Sequence, residues 1–205
     1  MLRLYDSRFS GSSWKVRILL NQLGLAYERI TLDLEKGEAA THDFVKLSRF
    51  SRVPVLQLED GRTIVESGAI LLYLAQGTPF LPDDPFLRAE TVSWLMFEQN
   101  DLQRPLAWPR VYHLRRMSEA MAPQIARFQQ DGYIGLAKLE RWLAAHDWLV
   151  GDAYCVADLA VSAYVSLAHQ GGYEMERFPA IQAWLARVVS QPGWIGVLHG
   201  EPGQP

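Results

Sequence analysis

The sequence has one cysteine, Cys155, in 205 residues. A single thiol can form no internal disulfide, no CxxC redox pair and no zinc cluster, so no metal is expected and a reducing, cytoplasmic setting fits best. Long apolar runs are absent as well. The longest, Ala69 to Ala75, is far below the ~18 residues that span a bilayer. Met1 to Asp6 carries no leader-like apolar segment. Charge of one sign is also missing: 20 Lys and Arg stand against 23 Asp and Glu, a net charge of −3 with no basic block. Neither nucleic acid nor an anionic membrane is expected as a partner. With 15 glycines and 11 prolines, and no internal repeat, collagenous and low-complexity readings are excluded.

What is present is material for a core, 49% apolar and 11% aromatic. The length allows one domain or two small ones. Residues 77–85, Gly-Thr-Pro-Phe-Leu-Pro-Asp-Asp-Pro, break any helix or central strand and read as a linker. Before it, strand and helix signals alternate. A strand is predicted at Leu2–Tyr5, then a helix carrying Val16, Leu19, Leu20 and Leu23, ended by Gly24. A second strand follows over Tyr27–Leu34 and a short helix over 38–47. Asp60-Gly61 marks a hairpin between Val53–Glu59 and Arg62–Val65, and Ser67–Gln76 reads as a buried helix. After the linker only helical periods remain. They cover 86–117 and 119–146, with breaks expected at Pro105, Pro109 and Pro123, a core helix over 155–169, and another after Pro179. Residues 1–76 thus read as an α/β domain and 86–205 as an all-α helical one.

Three segments can carry chemistry. Val53-Pro54 is either a trans proline opening an edge strand or a cis turn that presents the Val53 backbone to an extended ligand. Ser67, between a strand and an apolar helix, is placed as an N-cap, either structural only or at an anion-attracting helix start. The loop Phe9-Ser10-Gly11-Ser12-Ser13-Trp14 is either a turn and cap or a source of a hydroxyl that stabilises an anion near helix amides.

Taken together, these segments resemble the cytosolic glutathione transferase family over nearly the whole chain. Ser10-Gly11-Ser12-Ser13-Trp14-Lys15-Val16-Arg17-Ile18 looks like the serine loop of the theta and zeta classes. Arg52-Val53-Pro54-Val55-Leu56 and Ile64-Val65-Glu66-Ser67-Gly68-Ala69-Ile70 look like the two glutathione-binding segments. Trp94-Leu95-Met96-Phe97-Glu98-Gln99 is similar to a segment of many bacterial members, and Cys155-Val156-Ala157-Asp158-Leu159 resembles the core-helix capping motif.

The resemblance implies a thioredoxin-like first domain that binds glutathione as co-substrate. It also implies a helical second domain with an electrophile pocket, and a homodimer serving detoxification. Ser10 then matches the residue that activates the glutathione sulfur, with Ser12, Ser13 and Tyr5 as rivals. Val53 and Pro54 would meet the cysteinyl unit, Glu66 and Ser67 the γ-glutamyl end, and Arg52, or less favourably His42, the glycyl carboxylate. Phe9, Trp94, Phe97, Trp108, Arg110 and Tyr112 lie where relatives line the electrophile pocket. Conjugation of small electrophiles is the leading expectation. Glutathione-dependent reduction of peroxides or disulfides, isomerisation, and a non-catalytic interaction module are the alternatives. Two departures stand out. Cys155 occupies a capping position that normally holds Ser or Thr, and the first loop has no cysteine, which argues against exchange through the protein's own thiol.

Overall fold

The computed structural model describes residues 1–200. They fall into two compact units, one of residues 1–76 with the stretch from Pro192, the other of residues 77–191.

The first unit runs β1 (Leu2–Asp6), α1 (Gly11–Gln22), β2 (Tyr27–Thr31), a short 3-10 turn, α2 (His42–Leu47), β3 (Val55–Gln57), β4 (Thr63–Val65) and α3 (Ser67–Ala75). The sheet order is β2-β1-β3-β4, with β2 parallel to β1 and the other pairs antiparallel. A parallel pair needs a crossover, which α1 supplies. The result is the expected thioredoxin-like domain. Strand alternation sends Leu4 and Leu56, both fully buried, to one face and Tyr5, Val55 and Val65 to the other, where Phe44 of α2 packs on them. β2 stops at Thr31, opposite Asp6, and does not continue to Leu34. The Leu32 amide makes one last bond to the Asp6 carbonyl at 2.8 Å, and Asp33 then turns the chain by accepting from the Glu35 and Lys36 amides.

The second unit is helical: α4 (Pro85–Phe97), α5 (Arg104–Leu114), α6 (Ala122–Leu143), α7 (Val156–Val165) and α8 (Pro179–Val189). The single helix predicted over 86–117 is divided by a π-helical segment, Glu98–Gln103. Pro105 has no N–H to give the Asp101 carbonyl four residues back, and widening the turn accommodates its ring. A Cβ on Gly135 of α6 would stand 2.7 Å from that carbonyl oxygen, so the freed backbone is met closely by a glycine. Pro109 lies inside α5 without ending it, and Pro123 sits in the first turn of α6. Among the described residues no helix is long and apolar enough to cross a membrane.

α7 is buried along its whole length. Its first turn is fixed by Asp158, fully buried, which accepts from the Cys155 amide (3.1 Å), the Leu149 amide (3.0 Å) and Trp184 Nε1 (2.9 Å). Burial raises the Asp158 carboxyl above its ordinary range, and the three N–H donors oppose that rise. Cys155, the N-cap, is buried, and desolvation pushes its thiol up to about 12.

The sequence reading gives residues 86–205 to the helical domain, but the stretch from Pro192 packs on α1 in the first unit. Trp14 Nε1 donates to the Ile195 carbonyl, and the Trp14 and Trp194 rings meet edge to face at 5.5 Å. A non-helical run has no period from which such a destination can be read.

Candidate functional site

The register of the sheet gathers the three candidate segments of the first unit. Tyr5 pairs with Val55, and Val55 pairs with Val65. Because these pairs are antiparallel, the end of β1, the start of β3 and the end of β4 share one edge of the sheet. The loop bearing Ser10 follows β1, Val53-Pro54 enters β3, and Glu66-Ser67 follows β4. Ser10 and Glu66, 56 positions apart in sequence, therefore emerge on the same side of the sheet, with Val53 between them.

The Val53-Pro54 bond is cis. Ser48, fully buried, holds this turn from below: its hydroxyl donates to the Arg52 carbonyl at 3.0 Å and accepts from the Arg52 amide at 3.1 Å. Among the described residues nothing hydrogen-bonds the Val53 amide or carbonyl, which leaves one donor and one acceptor for an extended ligand. The Arg52 side chain is exposed. His42 is also exposed, 3.6 Å from Asp43, at the start of α2.

At the third segment the sequence expectation shifts by one residue. Glu66, not Ser67, is the N-cap of α3, and its side chain makes no cap bond. Glu66 stands at φ +71°, a region that L side chains seldom occupy, and its carboxylate is exposed. Ser67 is buried as the first helical residue. The Glu66 carboxylate and the open amides of the first turn of α3 therefore lie next to each other, a pairing that suits a group carrying both an amine and a carboxylate.

In the first loop, Ser10 is the N-cap of α1, and its Oγ accepts from the Ser13 amide at 3.2 Å. It is half-buried, and its own O–H remains to be donated. Accepting from an amide at a helix start makes that hydroxyl a better donor. The Ser13 hydroxyl is sealed inside, with the residue fully buried and its Oγ unpartnered, while Ser12 is half-buried. Tyr5 turns away from the loop: its hydroxyl donates to Gln57 Oε1 at 3.3 Å and its ring packs on Phe44.

The aromatic residues expected to line a pocket occupy three settings. Phe9 is exposed on the first loop, with the Arg8 guanidinium 5.1 Å from its ring centre. Trp94 and Phe97 meet edge to face at 5.4 Å on α4 and line a cavity of about 370 Å³ with Trp142 and His146, whose rings stack 3.9 Å apart. Trp108 and Tyr112 pair at 5.6 Å on α5 and do not line that cavity. Arg110, one turn before Leu114, is buried and donates to Gln170 Oε1 at 2.7 Å; desolvation lowers its pKa.

Sequence reasoning missed a buried ionic group under the Ser10 loop. Asp6, fully buried, lies 2.9 Å from Arg17 Nε and 2.9 Å from Arg29 Nε. Charged residues within an apolar helical period read as solvated, so Arg17 gave no signal of its own.

Residues 1–76 match the family model of the glutathione S-transferase N-terminal domain, and residues 115–192 match that of its C-terminal domain. The chain is 30% identical over 186 residues to the disulfide-bond oxidoreductase YfcG of Escherichia coli, covering 87% of this chain and 86% of that protein. A crystal structure of a glutathione S-transferase from Pseudomonas fluorescens superposes with a TM-score of 0.94 at 36% identity, covering 96% of this chain and 98% of its own. Ure2p in complex with glutathione follows with a TM-score of 0.85 at 27% identity, covering 94% of this chain and 95% of its own. The Saccharomyces cerevisiae protein of that name, a transcriptional regulator, is 28% identical over 240 residues, covering 97% of this chain and 68% of its own length. On the matched domains, the relatives and the site's layout, the chain belongs to the glutathione S-transferase family.

Proposed function

We propose that the protein binds glutathione at the sheet edge where Ser10, Val53 and Glu66 converge, and that it is a serine-type transferase of bacterial kind. In this reading the bound thiolate attacks small electrophiles. The observation that carries it is the convergence itself: a hydroxyl donor, an open backbone donor–acceptor pair and a carboxylate beside helix amides, in one row set by the strand register. Those groups complement thiol, peptide backbone and amino-acid end in the order glutathione presents them. That a related structure, Ure2p, holds glutathione supports the reading.

Ser10 donates its O–H to the sulfur. A free thiol has a pKa near ~8.5, and lowering it by ~2 units takes about 2.7 kcal/mol of preferential stabilisation of the thiolate. A hydroxyl polarised by the Ser13 amide, at the positive end of α1, is suited to that task. With an aryl halide, the sulfur–carbon bond forms as the carbon–halogen bond breaks and halide leaves. Val53 pairs with the cysteinyl unit against cis Pro54, Glu66 takes the γ-glutamyl amine, and the Ser67 end of α3 takes its carboxylate. Arg52 faces the glycyl carboxylate. Phe9, beside the Ser10 loop, offers apolar contact to the electrophile, whereas Trp94 and Phe97 serve the packing of α4 on α6. The protein acts as a homodimer in the cytoplasm in detoxification.

The test is retention on glutathione resin, followed by assay with a chromogenic aryl halide. Ser10→Ala should raise the pKa of the bound thiol by about 1–2 units while leaving retention intact, and Glu66→Ala should abolish retention. Wild-type retention by Glu66→Ala, or an unchanged thiolate pKa in Ser10→Ala, removes the assignment concerned.

The similarity to a disulfide-bond oxidoreductase favours one second reading. The same thiolate would attack a small disulfide, and a second glutathione would complete the exchange, giving two thiols and one glutathione disulfide. With Cys155 buried, both sulfurs come from glutathione. Turnover of a small disulfide with none of the aryl halide would select this reading over conjugation.

A further inference from the structure

We propose that Trp14 and Arg17 are positioning residues for the Ser10 hydroxyl, and that the chain's own stretch from Pro192 to Gly200 is the clasp that sets them. This rests on the reading of Ser10 as the group that activates the thiol.

Ser10 ends a four-residue loop, Ser7–Ser10, whose backbone is closed by a hydrogen bond from the Ser10 amide to the Ser7 carbonyl at 3.0 Å. So short a loop takes its geometry from its two anchors. On one side is Asp6, the last residue of β1, fully buried against Arg17 and Arg29. On the other is the first turn of α1, where the Trp14 amide donates to the Ser10 carbonyl at 2.9 Å.

Both anchors are tied to the same stretch of chain. Trp14 Nε1 donates to the Ile195 carbonyl at 2.9 Å. Arg17 Nη2 donates to the Val197 carbonyl at 2.8 Å and Nη1 to the His199 carbonyl at 3.3 Å, so one guanidinium joins the end of β1, through Asp6, to the clasp. Arg29 Nη1 also reaches the His199 carbonyl, and Asn21 Nδ2 donates to the Gly193 carbonyl at 2.9 Å. Gly193 stands at φ +76°, and a Cβ there would meet Gln22 Cα at 3.0 Å, so the clasp crosses α1 at a point that only glycine fits without displacement. The charged side chains shown against this corner include Asp6, Arg17 and Arg29, with His199 on the clasp itself.

A rigid loop matters here because a donor contributes to thiolate stability only at hydrogen-bonding distance, and a tilt of α1 moves its N-cap first. The hydrogen bonds and ion pair described for Trp14 and Arg17 run to the clasp and to Asp6. They act through the position of Ser10.

The experiment compares four full-length proteins: wild type, Ser10→Ala, Trp14→Phe and Gly193→Ala. Trp14→Phe keeps an aromatic ring and removes one N–H, and Gly193→Ala disturbs the clasp where it crosses Gln22, at the end of α1 far from Ser10. The pKa of bound glutathione is read from thiolate absorbance, and affinity is measured separately with S-methylglutathione, which has no thiol to titrate. Trp14→Phe and Gly193→Ala are expected to raise the bound-thiol pKa by about 0.5–1 unit, with about a 3–10-fold lower thiolate fraction well below that pKa. S-Methylglutathione affinity should change by less than about twofold. A shift in Ser10→Ala with none in the other two overturns the clasp and leaves Ser10 in place. No shift in Ser10→Ala overturns the reading of Ser10, and the clasp with it. A lower melting temperature without a shifted pKa in Trp14→Phe makes the contact structural only and also overturns the proposal. If Gly193→Ala does not fold, Trp14→Phe alone decides.

Discussion

Asp158 offers the most direct test of what holds the helical unit together. Replacing it by Asn conserves shape and removes charge. The Asn Oδ1 can still accept from the Leu149 amide and Trp184 Nε1, which both address Oδ1 in the native protein. Its Nδ2, however, would face the Cys155 amide, which now donates to Oδ2 at 3.1 Å. One charge-assisted bond is lost and a buried donor confronts another donor, at about 2–4 kcal/mol in all. Asp158→Ala strands three buried donors, at about 1–3 kcal/mol each, with a cavity in addition. Against the ~5–15 kcal/mol of a typical domain, the alanine variant stands close to failure and the asparagine variant should survive. Urea denaturation followed by tryptophan fluorescence is suited to the measurement, since Trp184 is fully buried beside the carboxylate. The expected order of stability is wild type, then Asn, then Ala, with the Asn variant melting about 5–15 °C below wild type. An Asn variant within about 0.5 kcal/mol of wild type would refute the reasoning, because the three N–H groups would then be no better served by a carboxylate than by an amide.

Further outcomes follow from the same physics. Cys155→Ser supplies a stronger acceptor at the N-cap of α7 and should stabilise by about 0.5–1 kcal/mol; an unchanged or lower melting temperature would count against it. Burial raises the folded thiol's pKa to about 12, so its neutral form contributes stability fully below the unfolded value near 9, and that contribution is lost as pH rises toward 12. Native protein should therefore resist iodoacetamide at about pH 8.5 and react on unfolding. Gly132→Ala would drive a Cβ into the ring and hydroxyl of Tyr173, which hydrogen-bonds the Pro105 and Phe128 carbonyls, and should destabilise by at least ~2 kcal/mol by thermal melting. Tyr5→Phe removes only a 3.3 Å bond to Gln57, so stability should fall by less than ~1 kcal/mol, and the bound-thiol pKa should stay at the wild-type value.

Much of the first unit was legible because its signals are local. Alternation in β1, the Asp60-Gly61 turn and the apolar period of α1 each arise within a few residues. The candidate segments come together for a related reason: Val53-Pro54 and Glu66-Ser67 flank strands whose register aligns them. What escaped depends on partners remote in sequence. The π-helical segment answers to Pro105 and to a glycine on α6. The cap of α3 moved from Ser67 to Glu66 because a strained backbone, which no residue pattern advertises, ends β4. Arg17 is buried by Asp6 and by carbonyls some 180 positions later. No helical period reveals that a charged residue will be neutralised from the far end of the chain.

Glu66 has a consequence for how this protein would respond to selection for heat resistance. Its φ of +71° is held by a residue with a Cβ and a charge, at about 1–3 kcal/mol of backbone strain that glycine would not bear. Glu66→Gly is therefore a change that screening for thermal survival alone would enrich. The same change deletes an exposed acid beside the open amides of α3, so survivors should lose retention on glutathione resin. The position sets durability against ligand capture, and the acid now found there marks which of the two the chain retains.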